Sequence, residues 1–343
     1  MHLTGYRKLW TNWLLIVVTL ATALFVVACG TLEETGFIAY NSGVDGKRDI
    51  GVIRPDGTSE RIVITHPSDD FSPIWSPDGK RMAFLSNRDG NVELYVASAD
   101  GSNPMRLTNT KVDESSPTWS PDGRRLAYLS PDNKNKPHIF IVDLSALLPQ
   151  RLTFGTIAEV DPAWSPNGSW IAYVGLDEKN DSGGIFIRNP DGVNRITLTR
   201  APDSLPVWSP DSTWIAYVSR QDGNEEVYIV AIEGYDRVGT PIRLTEHDGR
   251  DFAPSWSPES SQIAFLSDRN GNLDIFAVDT NGENLVALTR NEVDETEVFW
   301  GPADKIVFVS QLSDTPDIFI MNSDGSDQRS IKSGSEGHSN PSW

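Results

Sequence analysis

Apolar residues in this chain come in short runs, such as Met82-Ala83-Phe84-Leu85, Leu126-Ala127-Tyr128-Leu129 and Ile263-Ala264-Phe265-Leu266. Each run is closed by Asp, Asn, Gly or Pro. Runs of this length, bounded by turn residues, predict strands, whereas helical repeats would need long stretches with 3.6-residue periodicity. No such stretch follows the N-terminal segment. One unit shows the pattern. Ser72-Pro73-Ile74-Trp75 reads as an inner strand, and Ser76-Pro77-Asp78-Gly79 as a turn in which Pro sets φ and Gly supplies φ > 0. Arg81 to Ser86 is a second strand, Asn87 to Asn91 a hairpin, Val92 to Val96 a third strand, and Met105 to Thr108 the outer one.

The unit repeats. Trp-Ser-Pro stands at Trp75, Trp119, Trp164, Trp208 and Trp256, decays to Trp300-Gly301-Pro302, and leaves a seventh Trp at Trp343. The steps are 44, 45, 44, 48, 44 and 43 residues, and a period near 44 with four short strands is that of a β-propeller blade. Residues 37–65 hold a second, third and outer strand with no inner Trp strand before them, while Ser339 to Trp343 is an inner strand with nothing after it. The expected fold is therefore all-β, a seven-bladed β-propeller over 37–343 whose C-terminal strand completes the first blade. The recurring Ala-aromatic pairs and third-strand aromatics fall on one face by period-two alternation, so they pack between blades.

Residues 1–28 differ in character. Arg7 and Lys8 precede 15 apolar and small residues, Leu14 to Ala28, short for a membrane span of about 20 and suited to a secretory signal. Cys29 is the only cysteine and follows Val26-Val27-Ala28, which resembles a bacterial lipobox. The expectation is a lipoprotein signal peptide over 1–28, then a lipidated Cys29 and short tether over 29–36. The exported part would be an anchored, membrane-tethered monomer on the periplasmic or cell-surface face. An uncleaved anchor helix is the alternative. With a single Cys, no intramolecular disulfide forms. The chain carries a formal charge of −19, which repels nucleic acid and anionic headgroups and permits cationic partners or divalent ions.

Trp-Ser-Pro-Asp-Gly, a small-aromatic strand, Arg-Asp-Gly-Asn, a Tyr strand and Arg-Leu-Thr together resemble the repeat of the TolB family, also seen in oligogalacturonate lyase. The resemblance covers 37–343. It implies an envelope propeller that engages a protein partner at the channel mouth. TolB resembles a six-bladed propeller, and here there are seven units.

Five residues before each Trp stand Asp70, Glu114, Glu159, Asp203, Asp251, Glu295 and, in the composite blade, His338. The expectation is a channel-rim binding site: a ring of carboxylates that recruits a cation such as Ca²⁺, or a Lys or Arg of an envelope protein or peptide loop. The competing reading is that each acid bonds its adjoining loop. His66 and His247 share that end with His338 and could join them in a metal site. No G-x-S-x-G, G-x-x-x-x-G-K-[ST] or H-E-x-x-H occurs. The leading expectation is a non-enzymatic binding or scaffold protein. The alternative is a polysaccharide lyase or glycoside hydrolase that uses the rim acids and histidines. The polar loops at 133–136 and 176–184 are candidates for partner contacts.

Overall fold

The computed structural model describes residues 36–176, 183–200, 202–234, 238–312 and 315–343. The expected signal segment, Cys29 and the tether up to residue 35 lie outside the described residues, as do 177–182 of the blade 4 loop. Residues 36–343 form one compact unit of seven four-stranded antiparallel sheets, a seven-bladed β-propeller. Blade 2 runs outward from the axis through an inner strand (Asp70–Trp75), a second (Arg81–Ser86), a third (Glu93–Ser98) and a two-residue outer strand (Met105–Arg106). The inner strands of blades 3 to 7 are Ser115–Trp119, Glu159–Trp164, Asp203–Trp208, Asp251–Trp256 and Glu295–Gly301. Blade 1 takes its inner strand, His338–Ser342, from the far end of the chain, paired with Ile38–Ser42.

The repeated residues are there to hold this geometry. In the Trp-Ser-Pro-Asp-Gly turn, Gly79 N–H donates to the Ser76 carbonyl at 2.8 Å, with Gly79 at φ +64°. The Ser76 hydroxyl donates to Asp78 at 2.6 Å and accepts from Arg81 N–H at 2.9 Å. The Trp rings join neighbouring blades. The indole N–H groups of Trp119, Trp208 and Trp256 reach back to the carbonyls of Ile74, Ala163 and Val207, each in the inner strand of the preceding blade, at 3.2, 3.1 and 3.0 Å. Trp119 sits in a cluster with Leu126 and Tyr128 of its own blade and Ala83, Leu85 and Leu94 of blade 2. Aromatic pairs stack across the second and third strands of blades 2 to 7, from Phe84–Tyr95 at 5.5 Å to Phe308–Phe319 at 5.5 Å.

Blade 1 breaks the pattern in two places, and both have steric reasons. Opposite Tyr40 the third strand carries Gly51, where a Cβ would fall 2.4 Å from the tyrosine ring. Tyr40 therefore stacks on no third-strand aromatic and meets His338 edge-on at 5.6 Å. Trp343 lies against Gly301, whose added Cβ would come within 2.4 Å of the indole. The decayed Trp-Gly-Pro copy in blade 7 is thus the seat of the terminal Trp. Trp343 then closes the ring over a cluster of Ile38, Tyr40 and Ile53 with Val307, Ile318 and Ile320.

Candidate functional site

The seven positions singled out in the sequence do occupy equivalent places, at or immediately before the first residue of each inner strand. They are not exposed. Asp70, Glu114, Glu159, Asp203, Asp251, Glu295 and His338 are all buried, so they form no open ring of carboxylates at the channel mouth. The reason lies in a polar row that crosses each blade at this end. Asp70 pairs with Ser86, which pairs with Glu93; Asp203, Ser219 and Glu226 repeat the row, as do Asp251, Ser267 and Asp274. The Thr of Arg-Leu-Thr ends it. Thr108, Thr153, Thr199, Thr245 and Thr289 each accept, through the hydroxyl, a third-strand N–H at 2.8–3.0 Å. In two blades that hydroxyl also donates to the acid of the following blade, Thr153 to Glu159 at 3.1 Å and Thr289 to Glu295 at 2.9 Å.

Hairpin residues seal the row from above. Arg88 donates to Asp70 at 2.7 Å and to the Ser86 hydroxyl at 2.9 Å, and lies over the Tyr95 ring. Arg269 treats Asp251, Ser267 and Phe276 in the same way. Glu159 is instead met by His138 Nδ1 at 2.5 Å, a histidine that reasoning from spacing overlooked because it stands on the third strand, where other blades carry an acid. Asp203 has the Ser219 and Thr199 hydroxyls beside it. Burial lifts Glu114 to about 7, with the Glu93 and Asp113 charges adding to the rise and the Ser130 and Thr110 hydroxyls opposing it. Burial also raises Asp203, Asp251 and Glu295 and lowers His338, which the Lys332 charge lowers further.

The three histidines are not assembled into a site. His66 Nδ1 accepts Ser68 N–H at 3.1 Å and His247 Nδ1 accepts Gly249 N–H at 2.8 Å, each within its own turn. Among the described residues, no three His, Cys, Asp or Glu side chains are grouped so as to hold a metal ion.

What faces the axis is the residue two places further along. Every inner strand shifts register near this point, the composite one included, where Ser339 pairs with Asn41 and Ser342 with Ala39. Ser72, Ser116, Asp161, Leu205, Ala253 and Asn340 all take φ between +50° and +53°. Left-handed backbone at non-glycine residues is strained, and here each one precedes a Pro, which disfavours it further. In blade 4 the bulge turns Asp161 out of the ladder, whereas in blade 7 Glu297 stays in it opposite Val309, and in both the next blade uses the carboxyl. Asp161 accepts Leu205 N–H at 3.4 Å, and Glu297 accepts Asn340 N–H at 2.5 Å. Burial raises both carboxyls, against those N–H donors. The sequence carried a signal for the pair: Asp161 and Glu297 are acids in a frame where other units have Ser, Leu, Ala or Asn. Between the inner strands of blades 7, 1, 2 and 3 the bulges leave an open cavity of about 540 Å³, walled by Phe71, Pro73, Pro117, Phe299 and Pro341, with Ser116 on its rim.

The family described as the TolB β-propeller domain matches residues 33–183 and 177–343. A TolB homologue from Chlorobium luteolum is 43% identical over 54 residues, a stretch covering 16% of this chain and 12% of that protein. TolB from Acinetobacter baumannii superposes with a TM-score of 0.57 at 18% identity, over 89% of this chain and 82% of that one. An oligogalacturonate lyase solved in complex with manganese superposes with a TM-score of 0.62 at 13% identity, over 85% and 83%. Identities this low speak to the fold.

Proposed function

The chain belongs to the TolB β-propeller family, and we propose that it is a non-enzymatic binding or scaffold protein of the cell envelope, taking a loop of a partner polypeptide into its channel mouth. The observation that carries this reading is the cavity of about 540 Å³ between four inner strands. Its walls are proline, phenylalanine and aliphatic side chains with serines at the edge and one carboxyl, that of Glu297, and Phe299 and Ser116 are exposed. An apolar, largely preformed concavity with a few polar groups suits an extended or turning peptide segment. The acids act behind this surface. They bond to Ser, Thr, Arg and His within and between blades, and so fix the inner strands from which the cavity is built. A glycosidase at this end would need two carboxyls facing the substrate; the six rim acids are buried, and the cavity lining includes one carboxyl, that of Glu297. The apolar and small-residue run ending at Cys29 supports an exported, lipid-tethered location.

Capture from detergent-solubilised membranes of the producing cell, with the full chain as bait, tests the reading. The wild type should recover a defined envelope protein. Phe299→Asp and Ser116→Arg, which change exposed channel residues and leave the buried rows intact, should lose it while melting like the wild type. Capture unchanged in both variants, or release of unsaturated products from a polyuronate by the purified protein, would overturn the proposal.

A further inference from the structure

The outer strands reveal a second place for a ligand, away from the channel. In blade 2 the Arg of Arg-Leu-Thr, Arg106, lies opposite Tyr95. Its Nε donates to the Thr108 carbonyl at 2.6 Å, one Nη to Glu93 at 2.7 Å, and the other pairs with Asp89 at 3.2 Å. Blade 5 repeats this arrangement with Arg243 opposite Tyr228: Nε to the Thr245 carbonyl at 2.7 Å, and the two Nη atoms to Glu226 at 3.0 Å and Asp222 at 3.6 Å. A guanidinium opposite the third-strand aromatic, held by a buried carboxylate and the Thr carbonyl, thus recurs in blades 2 and 5; blade 3 keeps the Arg and its carbonyl bond without the acid, and blades 4 and 7 carry Thr197 and Ser330 there.

Blade 6 has the seat without the occupant. Ala287 stands where Arg106 and Arg243 stand, opposite Phe276. The buried acid of the row is kept as Asp274, and Thr289 follows two residues after Ala287 as Thr108 follows Arg106. Beside Ala287 lies an open surface cavity of about 710 Å³, lined by Phe276, Asp274, Asn270, Asn272, Asn291 and Glu292. Asn270 donates to Asp274 at 2.9 Å, and the Thr289 hydroxyl, whose proton goes to Glu295, lies 3.3 Å from the other Asp274 oxygen. Asn270 thus orients the carboxylate in a site where blades 2 and 5 place a cation. Leu285 and Val286 at the edge are exposed and offer apolar contact for a side-chain stem. We propose that this cavity on blade 6 takes an arginine side chain of a partner polypeptide, its guanidinium replacing the one that Arg106 and Arg243 supply in their own blades. The planar fork suits a carboxylate beside a carbonyl and an aromatic ring, which an ammonium matches less well. Arg290 is exposed on the same cavity wall, at the position held by Asn109 in blade 2 and Glu246 in blade 5.

The test uses the full-length protein with N-acetyl-arginine methylamide as probe and the citrulline analogue, which keeps the shape and loses the charge, as control. Binding is followed by ligand-observed NMR titration. The arginine probe should bind the wild type at least tenfold more tightly than the citrulline one. Ala287→Arg should fill the cavity from within, melt no lower than the wild type, and weaken the arginine probe at least tenfold. Arg290→Gln should bind the probe as well as the wild type or better. Equal binding of citrulline, unchanged binding to Ala287→Arg, or a lower melting temperature for that variant would overturn the assignment. Binding that appears only in Arg290→Gln would overturn it too, because Arg290 would then be the occupant. The channel variants should leave this binding untouched, so the two proposals fail separately.

Discussion

Replacing Glu114 by Gln should remove a pH-dependent penalty from the ring. Glu114 is 1% exposed and accepts from the Thr110 hydroxyl at 2.9 Å, while its second oxygen has no hydrogen-bond partner among the described residues. Burial lifts its pKa to about 7 from an ordinary 4.5. Below about pH 4.5 the side chain is protonated in both the folded and the unfolded chain, and it adds no pH dependence. Between 4.5 and 7 the folded chain holds a proton that the unfolded chain has released, so stability falls as pH rises. Above 7 both states are ionised and the penalty is constant. At about 1.4 kcal/mol per pKa unit, the full penalty is on the order of 3 kcal/mol, an upper bound if the loop relaxes. The buried amide of Gln adds its own cost, about 1–3 kcal/mol if it finds no acceptor, but this does not change with pH. The measurement is therefore the difference in unfolding free energy between wild type and Glu114→Gln, by urea melts at pH 5, 6, 7 and 8. Relative to the variant, the wild type should lose about 2–3 kcal/mol between pH 5 and 8. A difference constant across that range would mean that Glu114 ionises as it does in water, and the buried-row account of these acids would fail.

Three further outcomes follow from the packing. Removing residues 338–343 strips the inner strand of blade 1 and the Trp343 cap, and should lower the melting temperature by about 10 °C or more; moving that segment ahead of Phe37 in a circular permutant should restore it, and a truncation that melts like the full chain would disprove the closure. Trp208→Phe loses the bond to Ala163 and should cost roughly 1 kcal/mol more in urea melts than Trp75→Phe, whose indole N–H has no partner among the described residues. Gly301→Ser restores the repeat's own residue yet should destabilise by about 1–3 kcal/mol, since its Cβ collides with Trp343; a neutral or stabilising result by calorimetry would show that Trp343 moves freely.

The blade count, the turn residues and the composite first blade were legible because each rests on local chemistry that recurs at a fixed period. Trp, the Ala-aromatic pairs and Asp-Gly all do the same work in every copy. The fate of the acids was not legible. A carboxylate five residues before a Trp looks the same in sequence whether it faces the channel or lies under Arg88, and only the fold of the hairpin decides. Asp161 and Glu297 were hidden for a different reason. Asp161 leaves the ladder at a bulge, which shows only when the partner strand is counted too, and the role of Glu297 shows only once Asn340 of blade 1 is beside it. The empty seat at Ala287 could have been read from the broken Arg-Leu-Thr, but its meaning needed the guanidinium geometry of blades 2 and 5.

The composite blade also fixes an order of events. The Asn41 amide bonds the Ser339 hydroxyl across 298 residues of chain, so the segments 38–42 and 49–53 wait, with an edge unpaired, until the last strand has been made. Blades 2 to 7 can form in turn as the polypeptide lengthens, but the ring cannot seal before residues 338–342 have been made. The most distant contact of the ring is therefore also its latest, and a propeller still lacking residues 338–342 stays open at blade 1 by connectivity alone.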